Sequence, residues 1–218
     1  MSDEILAYAS VLRLSRSDRK TLKIKDAYSV HKTVYGLFED TRTIAEKQTN
    51  IPSGIVYADK GGDFHTHQIL MLSNRKPHQT PQFGEVETKA VYSHFLNYTH
   101  YGFQITINPS KRDKKTGKTI SIQDRTAIEE WFKSRGLLSW GFTVNPESLQ
   151  VEKVGVQRFE KNGMSVVHGS ATLKGDLTVI NPEQFRLSFT QGIGRGRAFG
   201  FGLLQIVPLT DLSSTKGI

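Results

Sequence analysis

The segment GIGRGRAFGFG at 192–202 combines five glycines with two arginines near the C-terminal end of the 218-residue chain. Glycine leaves backbone amides accessible, and a guanidinium group can pair with a phosphate through two hydrogen bonds. The segment therefore predicts contact between the main chain and an anion. Alternatively, the glycines serve only tight turns and close packing at the end of a helix. The candidate binding residues are Gly192, Gly194, Arg195, Gly196 and Arg197.

Two common nucleotide-binding motifs do not fit this segment. A P-loop ends in Gly-Lys-Ser/Thr, whereas this segment continues as FGFGLL, without the lysine or the hydroxyl. A dinucleotide-binding G-x-G-x-x-G motif follows a strand and opens a helix, and the order predicted here is the reverse. The pattern is better suited to the backbone of RNA than to a nucleotide cofactor, and we predict no cofactor.

His31 is the candidate for acid–base chemistry. Apolar residues recur at helical spacing in DAYSVHKTVYGLFED (26–40), and Tyr28, His31 and Tyr35 form a second row beside them. An imidazole with an ordinary pKa near 6.5 transfers protons at neutral pH, and the first turns of a helix favour a phosphate. The alternative is that His31 lies at the boundary of the core and only forms a structural hydrogen bond. Tyr28 would then only cover the edge of the core.

Two more histidines alternate in the sequence FHTHQ, where a strand would put His65 and His67 on one face. Two histidines without a third ligand are weak support for a metal ion, and the chain contains no cysteine. We predict no metal site. The histidines that belong to no motif are His78, His94, His100 and His168.

The charge balance favours an anionic partner. The chain has 29 Lys and Arg against 21 Asp and Glu, a formal net charge of +8, as is common in proteins that bind nucleic acids. The densest basic stretch, KRDKKTGK (111–118), is interpreted as a solvated loop that adds nonspecific attraction. No apolar run approaches the roughly 20 residues that span a bilayer, and the first residues do not resemble a signal peptide. We expect a cytoplasmic protein without a membrane partner.

The apolar periodicity predicts the elements that position these residues. In the first half it predicts a strand at 5–15, a helix of about 14 residues beginning at Asp26, two strands within 52–73 with a turn at 59–63, and a strand at 85–92. In the second half it predicts the order strand, helix, strand, strand, helix, strand, in which the first helix turns Ile128, Phe132 and Leu137 to one side. That order is ferredoxin-like.

We therefore predict an α+β fold of two tandem ferredoxin-like (RRM-like) modules with antiparallel sheets. The first module, at 1–98, carries the helix with His31, and its second helix is short or lost. The second module, at 99–218, carries a basic hairpin around EKNG (160–163) and the glycine-rich segment.

Several segments in the same order resemble one family. GIGRGRAFGFGLLQIVPL is similar to the C-terminal signature of repeat-associated RNA-binding proteins of CRISPR systems, and more narrowly to the CasE family. VLRLSR, DAYSVHKTVYGLF, HQILMLS, YGFQITINPSK and LKGDLTVINPEQF resemble further motifs of that family, so the likeness covers most of residues 1–208. The segments TRTIAEKQTN (41–50), DFHTH (63–67) and TDLSSTKGI (210–218) have no counterpart, and Arg197 replaces a lysine.

The resemblance implies a metal-independent endoribonuclease that cleaves the stem-loop of a CRISPR repeat in precursor RNA and keeps the guide RNA within a Cascade complex. A ribose 2′-hydroxyl attacks the neighbouring phosphate, which leaves a 2′,3′-cyclic phosphate and a 5′-hydroxyl. His31 matches the family's catalytic histidine and Tyr28 its active-site tyrosine. The family's basic hairpin corresponds to Lys153, Arg158 and Lys161.

Two other functions remain open at this point. The first is a noncatalytic ferredoxin-like RNA-binding subunit of a CRISPR effector complex, against which the pair of Tyr28 and His31 argues. The second is a solitary RNA-binding regulator of RRM type. Such a regulator would show exposed aromatic residues in an RNP-like pattern on a central strand, and the sequence lacks that pattern.

Overall fold

A computed structural model describes residues 3–41, 43, 52–161 and 163–209. The segment predicted to be an insertion at 41–50 lies outside the described residues except for positions 41 and 43, and the tail at 210–218 lies outside them entirely. The described part contains no helix that is long and apolar enough to cross a membrane.

The first half of the chain forms a four-stranded antiparallel sheet. Its strands are β1 (Ile5–Ser15), β2 (Ile55–Gly62), β3 (Thr66–Ser73) and β4 (Glu85–Tyr92), in the order β2-β3-β1-β4. Alternate residues of β1 and β3 point to one face, where Leu12, Leu14, Ile69 and Met71 are buried. The order is that of a ferredoxin-like sheet.

Two helices follow β1. The short helix α1 (Arg16–Thr21) begins at a capping box of Ser15 and Asp18, and α2 (Ala27–Tyr35) begins at a capping box of Asp26 and Ser29. Val30 and Val34 of α2 pack on the buried face of the sheet. The connection between β3 and β4 at 74–84 has no helix, in agreement with the expected loss of the second helix.

The second half forms a larger antiparallel sheet in the order β11-β5-β10-β8, with β9 paired to β10. A separate small hairpin of β6 and β7 leaves the sheet after β5. The strands are β5 (His100–Ile107), β6 (Ser110–Arg112), β7 (Thr119–Ser121), β8 (Phe142–Val144), β9 (Gln150–Lys161), β10 (Met164–Val179) and β11 (Gln205–Pro208). The helices are α3 (Arg125–Arg135) and α4 (Pro182–Gln191).

These observations confirm the predicted α+β class with antiparallel sheets. Helix α4 begins as expected, because the Asn181 side chain accepts a hydrogen bond from the Gln184 amide and Pro182 stands at the start of the helix. The described strands of the two sheets lie within 5–92 and 100–208. The division into modules at 1–98 and 99–218 stays a prediction.

Several local details differ from the predictions. Helix α2 has 9 residues rather than about 14, and the turn between β2 and β3 lies at 63–65 rather than 59–63. The predicted loop at 111–118 is confirmed for 113–118, which connects β6 to β7, whereas residues 111 and 112 lie in β6. Leu137 is 55% exposed, because it falls in a π-helical turn (Gly136–Trp140) after α3 rather than on the helix face with Phe132.

A third apolar cluster joins the two sheets. Val56 and Ala58 of β2 and Leu72 of β3 pack against Phe189 of α4 and Leu203, which precedes β11. The face of the first sheet that does not carry α2 is therefore covered by the second half of the chain, and the two halves meet along β2.

The N-cap of α2 gives a test of how this helix is held. Asp26→Ala should lower the free energy of unfolding by about 1 kcal/mol, because the Ser29 amide loses its 2.8 Å hydrogen bond to the Asp26 carboxylate. Asp26→Asn is the matched control and should be nearly neutral, since an amide oxygen also caps a helix. Urea unfolding measures both variants, and an equal loss in the two would show that charge rather than capping matters.

Candidate active site

Helix α2 presents three aromatic side chains along one edge. Tyr28, His31 and Tyr35 are half-buried, beside the buried Val30 and Val34. The rings of Tyr28 and His31 are nearly parallel, at 10°, with centroids 6.1 Å apart, and the centroids of His31 and Tyr35 are 4.2 Å apart. The predicted second row of α2 therefore exists, with His31 at its centre.

The glycine-rich segment supplies the hydrogen-bond partner of His31. His31 Nδ1 lies 2.8 Å from the carbonyl oxygen of Ala198, a residue 167 positions later in the chain. A carbonyl oxygen only accepts, so Nδ1 must carry the hydrogen and Nε2 of the neutral ring must carry the lone pair. The contact thus fixes the tautomer and makes Nε2 the atom that can take a proton.

The surroundings keep this imidazole neutral. Burial lowers the pKa of His31, and the positive charges of Lys161 and Lys32 lower it further, while the hydrogen bond to Ala198 opposes them. The net effect is a pKa below the ordinary value of about 6.5. At neutral pH the ring is therefore a proton acceptor.

Tyr57 is a second donor to the same carbonyl. Its hydroxyl lies 2.9 Å from the oxygen of Ala198, and its side chain is 1% exposed in β2. Burial raises the pKa of Tyr57 far above the ordinary phenol value, so the hydroxyl keeps its proton. Tyr57 was not among the residues predicted from the sequence. Its signal is a tyrosine in the apolar run IVYA, where a buried hydroxyl needs an acceptor.

Phe199 connects His31 to the basic hairpin. The centroid of its ring lies 5.6 Å from that of His31 and 4.5 Å from that of Phe159 on β9, and Lys161 Nζ lies 5.8 Å from the Phe199 ring. Phe199 lies within the glycine-rich motif, but nothing in the motif itself indicates contact with His31.

The shape of the glycine-rich segment depends on its glycines. Gly192, Gly196 and Gly202 have φ of 72°, 79° and 83°, and a Cβ atom on any of them would lie within 2.7 Å of another group. Gly194 differs, because its φ is 76° but the space around a Cβ is open. Packing thus accounts for three of these glycines, and Gly194 is the one with an unobstructed face.

The two arginines of the segment have different environments. Arg197 Nη1 donates to the carbonyl oxygens of Gln191 and Gly192, at 3.0 and 3.4 Å, and so caps the C-terminal end of α4. Arg195 is exposed and donates to the Thr119 hydroxyl at 2.6 Å. Arg195 remains accessible to an anion, whereas Arg197 is engaged by the fold.

The predicted hairpin residues Lys153, Arg158 and Lys161 are all exposed on β9, and none forms an ion pair with a described acidic residue. Lys161 is the one near His31. Lys153 is eight residues earlier on the strand, about 26 Å away at 3.3 Å per residue. The structure therefore brings Tyr28, His31 and Lys161 together and leaves Lys153 at a distance.

His65 and His67 do not form a pair. His65 is exposed in the turn before β3, whereas His67 is 6% exposed, with Nε2 2.8 Å from Asp59 Oδ1 but without hydrogen-bond geometry. Among the residues that the structure describes, no group of three His, Cys, Asp or Glu side chains is arranged to hold a metal ion.

The fold and this geometry define a class: a basic α+β protein with two ferredoxin-order sheets and a neutral histidine where the two halves meet. The chain belongs to the CRISPR associated protein family, whose model matches residues 7–208. This finding confirms the family resemblance that the motifs indicated.

Individual relatives agree with this assignment. The CRISPR-associated endoribonuclease Cse3 of Thermus thermophilus is 29% identical over 116 residues, which is 49% of this chain and 54% of that protein, so the match spans about half the length of the relative. The structure of Cse3 bound to a 19-nucleotide RNA has a TM-score of 0.73 at 18% identity and covers 93% of this chain and 100% of the other. A chain of a CRISPR RNA-guided surveillance complex has a TM-score of 0.67 at 15% identity, with 93% and 100% covered.

The two arginines form a matched pair for a stability measurement. Arg197→Gln should lower the free energy of unfolding by about 1–2 kcal/mol, because two carbonyl groups at the end of α4 lose a charged donor. Arg195→Gln should change it by less than about 0.5 kcal/mol, since that side chain is exposed. Urea unfolding compares them, and equal effects would contradict the distinction.

Proposed function

We propose that this chain is a metal-independent endoribonuclease that cleaves the stem-loop of a CRISPR repeat in precursor RNA. The observation that carries the proposal is the neutral His31, whose Nδ1 is held by the Ala198 carbonyl and whose Nε2 is left as a base. RNA brings its own nucleophile, the ribose 2′-hydroxyl, so the protein needs a proton acceptor, in-line positioning and positive charge.

In the proposed reaction, His31 Nε2 takes the proton of the 2′-hydroxyl. The 2′-oxygen then bonds to the adjacent phosphorus, and the bond from phosphorus to the 5′-oxygen breaks. The leaving oxygen receives a proton from the imidazolium or from water. The products are a 2′,3′-cyclic phosphate and a 5′-hydroxyl, and no metal ion or cofactor takes part.

The neighbours of His31 suit the other two requirements. Lys161 and Lys32 act on the imidazole through their positive charge, and the same charge would stabilise the additional negative charge of the phosphorane-like transition state. The Tyr28 ring lies parallel to the His31 ring and would orient the ribose or contact the phosphate through its hydroxyl.

The proposed RNA-binding surface extends from this centre in two directions. The exposed Lys153, Arg158 and Lys161 would follow the phosphates of the stem, and Arg195 with the open side of Gly194 would contact the strand near the cut. Gly192, Gly196 and Arg197 would contribute by shaping the loop. Supporting this proposal are the net charge of +8 and the RNA-bound structure of the relative Cse3.

We further propose that the chain retains its product as guide RNA and assembles with other Cascade subunits in the cytoplasm. The support is the family assignment and the similarity of the fold to a chain of an RNA-guided surveillance complex.

The nuclease is tested with labelled repeat RNA in excess EDTA. We expect one cut, which a single 2′-deoxy substitution at the scissile nucleotide abolishes. His31→Ala should lower the single-turnover rate by about 10²- to 10⁴-fold and leave RNA affinity nearly unchanged, because only the proton acceptor is lost. His65→Ala, a change at an exposed histidine of the β2–β3 turn, is the control and should cleave normally.

Binding without any cut would support the noncatalytic RNA-binding subunit instead. Equal losses of affinity and rate in His31→Ala would show that the histidine only supports the structure.

The pH dependence tests the role of Nε2. The rate at subsaturating protein should be flat above neutral pH and fall as the pH drops through a midpoint below about 6.5, because burial and nearby cations lower the pKa of His31. Lys32→Gln should move this midpoint upward, since one of those positive charges is removed. A midpoint above about 6.5, or no fall in rate at any acidic pH at which the chain stays folded, would contradict the assignment of His31 as the base.

A further inference from the structure

A groove lies beside α2 at the end that follows α1, next to the candidate active site. Its volume is about 690 Å³, within the range of roughly 300–1,000 Å³ typical of ligand-sized clefts. Charged and polar side chains dominate its lining. They include Lys23, Lys25, Asp26, Tyr28, Lys32 and Glu160.

The three lysines of the groove are available to a ligand. Lys23, Lys25 and Lys32 are exposed, and none forms an ion pair with a described acidic residue. The Asp26 carboxylate is engaged instead by the amide and hydroxyl of Ser29, each at 2.8 Å. Asp26 keeps its negative charge, and Glu160 also lines the groove, so three lysines stand against two carboxylates and the lining has a small positive excess.

The surrounding sequence adds to this charge. The stretch RSDRKTLKIK at 16–25 has five basic residues against one acidic residue, Asp18. The Asp18 carboxylate is held by the Ser15 amide at 2.9 Å, as part of the cap of α1. This stretch leads from α1 to the groove, which Lys23 and Lys25 line, and the exposed Lys20 adds positive charge on the side of α1.

The backbone at Lys23 is unusual. Lys23 has φ of 52°, and it is the one residue other than glycine with positive φ in the described chain. The conformation closes α1, with the Ile24 amide donating to the Arg19 carbonyl at 3.0 Å, and glycine is the residue that usually takes this place. The backbone conformation is less favourable for lysine than for glycine, but lysine places a positive charge at the rim of the groove.

Tyr28 connects the groove with His31. Lys32 Nζ lies 4.4 Å from the centroid of the Tyr28 ring, which is itself 6.1 Å from the centroid of His31. Glu160 lines the groove, and the next residue, Lys161, is close enough to His31 to affect its pKa. A strand whose reacting phosphate lies at His31 can therefore continue past Tyr28 into the groove.

We propose that this groove binds the single-stranded RNA that continues from the scissile phosphate beyond the stem. Recognition is through phosphates and without base preference, because flexible lysines act as point charges on the backbone. RNA is favoured over a protein partner since the cores of protein interfaces are depleted of charged residues, which dominate here. This inference rests on the proposed function.

The test uses the full chain with the double change Lys23→Gly and Lys25→Gln, in a His31→Ala background that keeps the RNA intact. Affinity is measured for the stem-loop alone and for stem-loops extended by a single strand on the 5′ or on the 3′ side. We expect one of the extensions to strengthen binding to the chain with the native lysines. The double change should remove most of that gain and leave binding of the stem-loop alone unchanged.

The salt dependence gives the size of the effect. Loss of two contacts to single-stranded phosphates should reduce the slope of log affinity against log salt by about 1.4. The ratio of the affinities of the chain with native lysines and of the double variant for the extended RNA should then increase about sevenfold when the salt is lowered from 200 to 50 mM. The control is the double change Lys133→Gln and Arg135→Gln on α3, which removes the same amount of positive charge. It measures the nonspecific attraction between the RNA and the charge of the whole protein.

The outcomes separate this inference from the proposed function. If the double change weakens binding of the stem-loop alone as much as binding of the extended RNA, the lysines contact the stem. If it weakens binding of no RNA, an acidic protein becomes the candidate ligand of the groove. Either result overturns the proposal. Urea unfolding checks that the double variant is folded. If its midpoint equals or exceeds that of His31→Ala, the weaker binding of the extended RNA is not caused by unfolding. Cleavage of the plain stem-loop by the unmodified chain tests the nuclease independently of any flank.

Discussion

The candidate active site depends on one carbonyl group. The oxygen of Ala198, from the second half of the chain, accepts hydrogen bonds from His31 on α2 and Tyr57 on β2, both from the first half. Since a carbonyl oxygen has two lone pairs, both donors can be satisfied at once. This arrangement fixes the imidazole in one tautomer and joins the halves at the position where chemistry is proposed. A shift of the loop would therefore affect the base as well as the binding surface.

The glycines of the loop set the orientation of the Ala198 carbonyl. Ala198 lies in a single 3₁₀ turn (Arg197–Phe199), bounded by Gly196 and Gly200, whose φ values are 79° and 85°. The Phe199 amide closes the turn on the Gly196 carbonyl at 2.7 Å. Left-handed conformations on both sides let the chain enter and leave within a few residues, with Ala198 facing α2. The close-packing interpretation of the motif thus applies to Gly192, Gly196 and Gly202, whereas the anion site at Gly194 and Arg195 stays a prediction.

Local features of the sequence predicted most of the fold. Capping residues and apolar periodicity located α2, α3 and α4, and alternation located the strands of both sheets. Helix α1 was missed because it is short and has no buried side chain to produce a helical pattern. The contacts of His31 with Ala198 and Phe199 could not be predicted, since they join residues far apart in the chain. The helix-capping role of Arg197 was not predicted for another reason. Its positive charge indicated contact with a phosphate, whereas its partners are backbone carbonyl groups.

The packing between the halves also sets the acid–base property of the site. Phe199, from the second half, covers part of the His31 ring, and burial is the largest cause of the lowered pKa of this histidine. The apolar cluster of Val56, Phe189 and Leu203 holds α4 and the glycine-rich loop against β2. The capping box of α2 lies within the first half, whereas the partner of Nδ1, the Phe199 ring and the nearby Lys161 all come from the second half. The neutral base is thus a property of the assembled chain rather than of the helix that carries it.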